Sequence, residues 1–308
     1  MAGGWSRFAL RFSEYYESIL PQDLWTPPRL KNREWMFIPW GGAPPDRHRA
    51  FPNKGSLHSY LASRAPHSCF HSTAYYRDPS MGKMAEKGWL GADLIFDLDG
   101  DHLPGVSDND FPGMIEVIQG QAWRLWNEFL EPEFGFKQQY AQFTFSGHRG
   151  FHIHLRDPSL LHLDSNARRE IVNYIRGEGI DIQSTISDGS QWGRRALNGM
   201  DSTLDKLSSI SSGESGKGAI LNELHSILAT RSKSPKVNLK SVSKASIEEL
   251  AVLADNEDRI ERLKKDPTLE VFGPKCNPIF WELVKGDSSV VIGTAGETDE
   301  VVTVDTKR

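Results

Sequence analysis

The 308-residue sequence predicts an α+β fold. It reads as a mixed or antiparallel sheet flanked by helices, with a small helical insert. Three patterns lead to this. Apolar side chains alternate at period two over residues 91–99 and again over 141–155, as half-buried strands do. Apolar side chains recur at helical spacing over 114–130 and 164–179. At about residue 184 the composition turns Ser-, Gly- and Lys-rich with few aromatics, and alternation returns only in the tail. Strands and helices in this interleaved order describe an α+β core interrupted by a helical segment. The expected organisation is a core over 1–184, a partly flexible helical subdomain over 185–285, and strands over 286–308 that return to the core.

Taken in order, residues 6–20 form an amphipathic helix stopped by Pro21, and 21–33 a Pro-rich connector. Residues 33–40 (REWMFIPW) read as a strand, and 41–51 as a loop carrying Arg47, His48 and Arg49. A helix over 57–63 and a strand over 68–76 follow, with Tyr75 and Tyr76 at the strand's end. Residues 77–89 are a loop or short helix. The central strand GADLIFDLDGDHLPG (91–105) comes next. In the helix over 114–130, Ile115, Ile118, Ala122, Leu125, Trp126 and Phe129 make the apolar face, and Trp123 and Trp126 are expected in the core. The hairpin over 141–155 puts Phe143, Phe145, Phe151, Ile153 and Leu155 on one side, and Ser146, His152 and His154 on the other. Asp164 or Ser165 caps the helix over 164–179, and Gly177 ends it. Residues 231–244 hold five basic side chains and no acid, either a nucleic-acid patch or a solvated loop. Ser246 and Glu249 stand at capping-box spacing for a further helix.

Composition excludes several classes. A net charge of −5 carries no global basic field, so nucleic-acid binding would need local patches. Two cysteines, Cys69 and Cys276, are too few for a disulfide framework or a four-cysteine zinc site, and Cys69 reads as a buried thiol. The first twenty residues are too charged for a signal peptide, and no run of about 18 apolar residues occurs. The expectation is a soluble, cytoplasmic chain with no membrane partner.

Chemistry concentrates at the central strand. Leu94, Phe96 and Leu98 point one way, and Ile95, Asp97 and Asp99 the other. Two like charges at the end of so apolar a strand repel unless a cation lies between them, and oxygen donors suit Mg²⁺ or Mn²⁺. Asp101 follows just beyond. The string FDLDGD also resembles an EF-hand loop, but His102 stands where that loop needs Gly. It resembles the nucleophile loop of haloacid-dehalogenase-type phosphatases too. Asp101 occupies the Thr or Ser position of that loop, which normally lies near a chain's start. In SGHRGFHIHL (146–155), Gly147 and Gly150 flank His148 and Arg149, so backbone and side chains can close on an anion. His148, His152 and His154 could instead hold zinc, or be satisfied strand histidines.

The combination of AYYRDPSMGKMAEKGWLGADLIFDLDGDHLPG with FTFSGHRGFHIHL resembles the catalytic small subunit of archaeal and eukaryotic DNA primase, the archaeal form more closely. The REW strand, the R-H-x-x-F element at Arg47–Phe51 and the RREIVNYI helix add to the match. The resemblance covers about 10–180 and the tail. It implies a primase-type catalytic core with an RRM-like sheet and template-directed synthesis of short RNA or DNA primers for replication. It implies a Mg²⁺ or Mn²⁺ pair on Asp97, Asp99 and, from TDEVVTVDTKR, Asp299, with Asp305 as fallback. Ser146, Arg149 and His152, with His148 adjacent and Arg47 beyond, would hold the nucleoside triphosphate. A large-subunit partner in a heterodimer and a single-stranded DNA template are implied as well. Residues 103–140 lack the family's cysteines, so no structural zinc is expected. The tail ends at Arg308, short of the family's P-G-S-L-H segment, so the chain reads as truncated. Two other readings stay open: a Mg²⁺-dependent phosphatase with Asp97 as nucleophile and Asp99 as acid/base, and an inactive primase-like binding subunit.

Overall fold

Side-chain caps and left-handed glycines mark the ends of several elements among the described residues. The structure is a computed structural model that describes residues 3–99, 109–146, 149–213, 216–230, 238 and 241–289. The chain divides into two units, one of residues 3–95 with 154–168 and the other of 96–153 with 169–289.

The first unit opens with α1 (Gly3–Ser18), then β1 (Trp35–Ile38), β2 (Asp46–Arg49), α2 (Lys54–Arg64) and β3 (Ser68–His71). β4 (Ala74–Tyr76), α3 (Met84–Lys87) and β5 (Trp89–Ala92) follow. Trp35 and Phe37 alternate inward from β1 and pack with Phe51, Leu57 and Leu61. Asn53 starts α2 by accepting the Ser56 N–H at 2.9 Å. Three expectations change here. Arg47, His48 and Arg49 lie on a strand, because the GGAPP turn lets β2 pair antiparallel with β1, Trp35 opposite Arg49. Its charged sequence hides it, as is common for edge strands. The 68–76 strand is two strands: β3 pairs with β1 and β4 with β5. The break falls at Ser72 and Thr73, whose carbonyls accept from Arg33 at 2.6 and 3.4 Å. Cys69 is exposed, not buried.

β6 (Leu94–Asp99), β8 (Gly150–Leu155) and α5 (Ser165–Arg176) cross the boundary between units. In the second unit α4 (Phe111–Leu125) starts on Asp110, whose side chain accepts the Gly113 N–H at 3.1 Å. It buries Met114, Ile118, Ala122 and Leu125, one stripe at helical spacing, and continues as a π-helical turn over Trp126–Leu130. β7 (Ala141–Phe145) completes a sheet of order β6-β8-β7. Trp126 is core as expected, but Trp123 stands 54% exposed, since it lies beside the buried stripe. In α5, Asp164 caps through the Ala167 N–H at 2.8 Å, and Gly177 at φ 67° follows its end.

Among the described residues from 185 on, every regular element is a helix. They are α6 (Ile182–Thr185), α7 (Gln191–Ser211), α8 (Lys217–Thr230), α9 (Lys244–Ala254), α10 (Glu257–Lys265) and α11 (Gly273–Ser288). Leu207, Leu224, Leu250, Phe280 and Leu283 are fully buried among them. At Gly199 a Cβ would lie 2.2 Å from the Ser288 hydroxyl and 2.9 Å from the Val284 carbonyl, so α7 and α11 touch at backbone distance. α9 starts one turn early: Ser243, not Ser246, is the cap, accepting the Ser246 N–H at 3.3 Å. Most of the basic stretch 231–244 and all of the tail from 290 lie outside the described residues.

Candidate active site

β6 arises from its alternation. Leu94, Phe96 and Leu98 have no exposed surface, so this face is anchored in core. The other face carries Asp97 and Asp99, both exposed. The carboxylates therefore stand in water. Mutual repulsion is eased by solvent, and both carboxylates are reachable from it. Two carboxylates on one exposed strand face, with no soft donor between them, fit a hard divalent ion. Among the described residues no three His, Cys, Asp or Glu side chains gather into a metal-holding group. The third expected ligand, Asp299, its fallback Asp305 and the neighbouring Asp101 lie outside the described residues.

β8 brings the cationic side of the site. A Cβ on Gly150 would sit 2.5 Å from the Leu98 carbonyl and 3.5 Å from Asp99 Cα, so the strand ends meet at a distance only glycine permits. Two residues on, His152 Nε2 is 3.2 Å from Asp97 Oδ1. Gly150 against Leu98 and His152 against Asp97 show that β6 and β8 run in opposite directions. The hydrogen bond to Asp97 raises the His152 pKa; the charges of Asp97 and Asp99 add to this, and burial opposes it. Ser146 closes the β7–β8 turn: its hydroxyl accepts the Gly150 N–H at 3.0 Å, and its own N–H donates to the Gly150 carbonyl at 2.8 Å. Arg149 sits in that turn, partly exposed. One strand end and one hairpin turn thus bring Asp97, Asp99, Ser146, Arg149 and His152 together. His148 and Gly147 lie outside the described residues, and Arg47 belongs to the other unit, exposed on β2.

In the first unit the sequence reading passed over Asp93, which shares the alternation of Ile95, Asp97 and Asp99. It is fully buried, 2.7 Å from Arg33 Nη2 and 3.3 Å from Arg156 Nε, and accepts the Tyr75 hydroxyl. Arg33 also donates to the Pro28 carbonyl at 2.9 Å and lies over the Tyr75 ring. Burial pushes the Tyr75 pKa up to about 12. Arg168 is equally buried, donating to the Asp93 and Ala92 carbonyls at 2.8 and 2.9 Å. Tyr75 and Tyr76 are therefore core. The signal for Asp93 was the lone acid at the head of an apolar strand, which needs a buried cation.

The sequence is similar to that of known proteins. The sequence model of the DNA primase small subunit family matches residues 96–282. The chain is 34% identical over 311 residues to the DNA primase small subunit PriS of Methanocella arvoryzae, covering 97% of this chain and 76% of that protein. It is 44% identical over 176 residues to PriS of Methanosarcina barkeri, covering 56% of this chain and 41% of the relative. Against PriS of Methanothrix thermoacetophila it is 45% identical over 179 residues, 57% of this chain and 44% of the relative. The chain thus aligns with about three quarters of one relative and under half of the other two.

Proposed function

The chain belongs to the DNA primase small subunit family, and on that premise we propose that its β6–β8 site is the nucleotidyl-transfer centre of primer synthesis. The observation that carries this reading is the exposed Asp97–Asp99 pair facing His152 across two strands, beside the Ser146–Gly150 turn. Substrates on this reading are a single-stranded DNA template and nucleoside triphosphates, and the enzyme is a DNA-directed RNA polymerase of the primase type. Residues 1–184 form the catalytic core, 185–285 a helical subdomain, and the tail completes the core. A large subunit is the expected partner.

Each side chain has a task set by its chemistry. Asp97 and Asp99, joined by Asp299 on the family resemblance, would hold Mg²⁺ or Mn²⁺. The bound cations supply charge neutralisation and activation of the attacking hydroxyl. Arg149 offers a planar guanidinium to two phosphate oxygens. His152, held beside the carboxylates at 3.2 Å from Asp97, is placed to donate to a phosphate oxygen. The Ser146 hydroxyl is fixed by the turn it closes, and the family resemblance alone adds His148 and Arg47 as candidate phosphate contacts. In phosphoryl transfer such positioning and charge stabilisation do most of the work. No helix among the described residues is long and apolar enough to cross a membrane.

The test is template-directed synthesis. The protein, alone and with a large subunit, is incubated with single-stranded DNA, labelled ribo- or deoxyribonucleotides, and Mg²⁺ or Mn²⁺. Labelled oligonucleotides that disappear with Asp97→Ala and with Asp99→Ala are expected. Synthesis that survives both substitutions refutes the assignment. Template-independent phosphate release from small esters would point to the phosphatase chemistry, and no product under any condition to a binding subunit.

A further inference from the structure

Helix α1 is tied to α2 along one narrow side, where Ala9, Ser13 and Tyr16 are half-buried. The Ser13 hydroxyl donates to the Ala62 carbonyl at 2.5 Å. His58 Nε2 lies 2.7 and 2.9 Å from the Tyr16 and Ile19 carbonyls. At 3.6 residues per turn, Phe8, Arg11, Phe12 and Tyr15 fall together on another side, within an arc of about 100°. The three rings are 52%, 41% and 57% exposed. Single exposed apolar residues need no explanation, but three on one helix face do. Trp40 supports them: it stacks on Phe8 at 5.7 Å and 15°, and meets Phe12 at 5.7 Å. Its own Nε1 donates to the Ala65 carbonyl at 2.9 Å, and His67 stands edge-on to it at 4.7 Å.

The charge on this same face is positive. Arg11 lies inside the arc and Arg7 borders it one turn earlier, both exposed, while Glu14 and Glu17 fall outside it. Neither arginine makes an ion pair or hydrogen bond with another described residue. Like charges four apart on a helix repel, which a bound anion relieves. The bias extends to the whole unit. Residues 3–95 with 154–168 hold 14 Lys and Arg against 10 Asp and Glu, a net +4 (14 − 10), and the rest of the chain carries −9 (−5 − 4). A cationic unit in an acidic chain attracts a polyanion. An apolar partner would bury Arg11 unpaired, at a cost. A single strand instead gives each ring a base to stack on and each arginine a phosphate. We propose that this face of α1 binds single-stranded nucleic acid, with bases on Phe8, Phe12 and Tyr15 and phosphates on Arg7 and Arg11. That the strand is the DNA template rests on the proposed function.

The experiment measures binding without chemistry. A fluorescein-labelled oligothymidylate is titrated with the full chain in EDTA, without nucleotides, and anisotropy is read at several salt concentrations. Phe8→Leu and Tyr15→Leu each weaken binding about 5- to 150-fold, the equivalent of ~1–3 kcal/mol per stacked base. They leave the salt slope unchanged, since stacking releases no counterions. Tyr15→Phe keeps binding within about twofold, because a phenyl ring stacks as a phenol does. Arg7→Gln combined with Arg11→Gln lowers the magnitude of the slope by about 1.4, two phosphates at about 0.7 each for a single strand. Leu and Gln are good helix formers, so α1 persists, and a circular-dichroism melt matching the unaltered chain checks this. A chain that binds through α1 yet makes no primer upholds this inference and refutes the catalytic one. A chain that makes primers, and whose variants bind oligothymidylate as the unaltered chain does with the same salt slope, overturns this inference alone. Variants that keep oligonucleotide binding but lose a large subunit or anionic phospholipid vesicles also overturn it, and assign the face to that partner.

Discussion

Gly150→Ala should open the candidate site where β8 leans on β6. The added Cβ would lie 2.5 Å from the Leu98 carbonyl oxygen. Real Cβ atoms essentially never approach within 3.0 Å, and ordinary contact begins at 3.4 Å. The strands must therefore part by 0.5 Å (3.0 − 2.5) to 0.9 Å (3.4 − 2.5). The obstacle is backbone, so no rotamer change relieves it. Opening by the smaller amount stretches the 3.2 Å His152–Asp97 contact to about 3.7 Å, past hydrogen-bond range. A misplacement of about 1 Å costs roughly 10²-fold in rate, so kcat/KM for primer synthesis should fall about 10- to 100-fold. Overpacking should also cost about 1–3 kcal/mol of stability. The assay is steady-state primer synthesis beside urea denaturation, with Gly218→Ala as the control, because a Cβ there meets nothing within 4 Å. A Gly150→Ala enzyme with kcat/KM within twofold of the unaltered chain and unchanged stability would refute the reasoning.

Three further outcomes follow from the same geometry. Asp93→Asn strips the charge facing the buried Arg33 and the partly exposed Arg156 and should cost about 3–5 kcal/mol; a urea-derived loss below about 1 kcal/mol would show that the pair is not what anchors the strand. His71 is held neutral, its pKa lowered from 6.5 chiefly by burial and then by Arg33. The unfolded chain then binds the extra proton, so stability should rise as pH climbs through about 6.5. His71→Asn should flatten that rise, and an unchanged urea midpoint profile between pH 5 and 8 would contradict it. Ser190→Ala removes the cap that accepts the Gly193 N–H at 2.9 Å and should cost about 1 kcal/mol; no shift in melting would count against the cap.

Much of the site's framework was legible because it is local. Alternation alone put Asp97 and Asp99 on one face of β6, and Ser146 and His152 on one face of the hairpin. Helix ends at Asp164 and Gly177 were legible for the same reason, since caps act within one turn. Misreadings came where a distant partner decides. The 68–76 stretch breaks in two because Arg33 takes its middle carbonyls. β2 becomes a strand because β1 is there to pair with it. Asp93 and Asp97 share a pattern yet meet opposite environments, one among buried guanidiniums and one in water. Trp123 is expected in the core but lies beside the buried stripe, where it rests on Phe143 and stays largely exposed.

The sequence by itself therefore determined an α+β class, the metal-suited pair of carboxylates, the anion-suited hairpin and the family resemblance. The carboxylate pair and the hairpin are written in residue spacing over about ten positions each, the class in the order of such patterns, and the resemblance in longer motifs. Only the tertiary structure decided that His152 meets Asp97, that Gly150 is the point of closest approach, and that Phe8, Phe12 and Tyr15 stay exposed on α1. Spacing fixes which face a side chain takes, but not what stands opposite. Burial and pairing are properties of two segments at once, and those segments are brought together by the packing of the core.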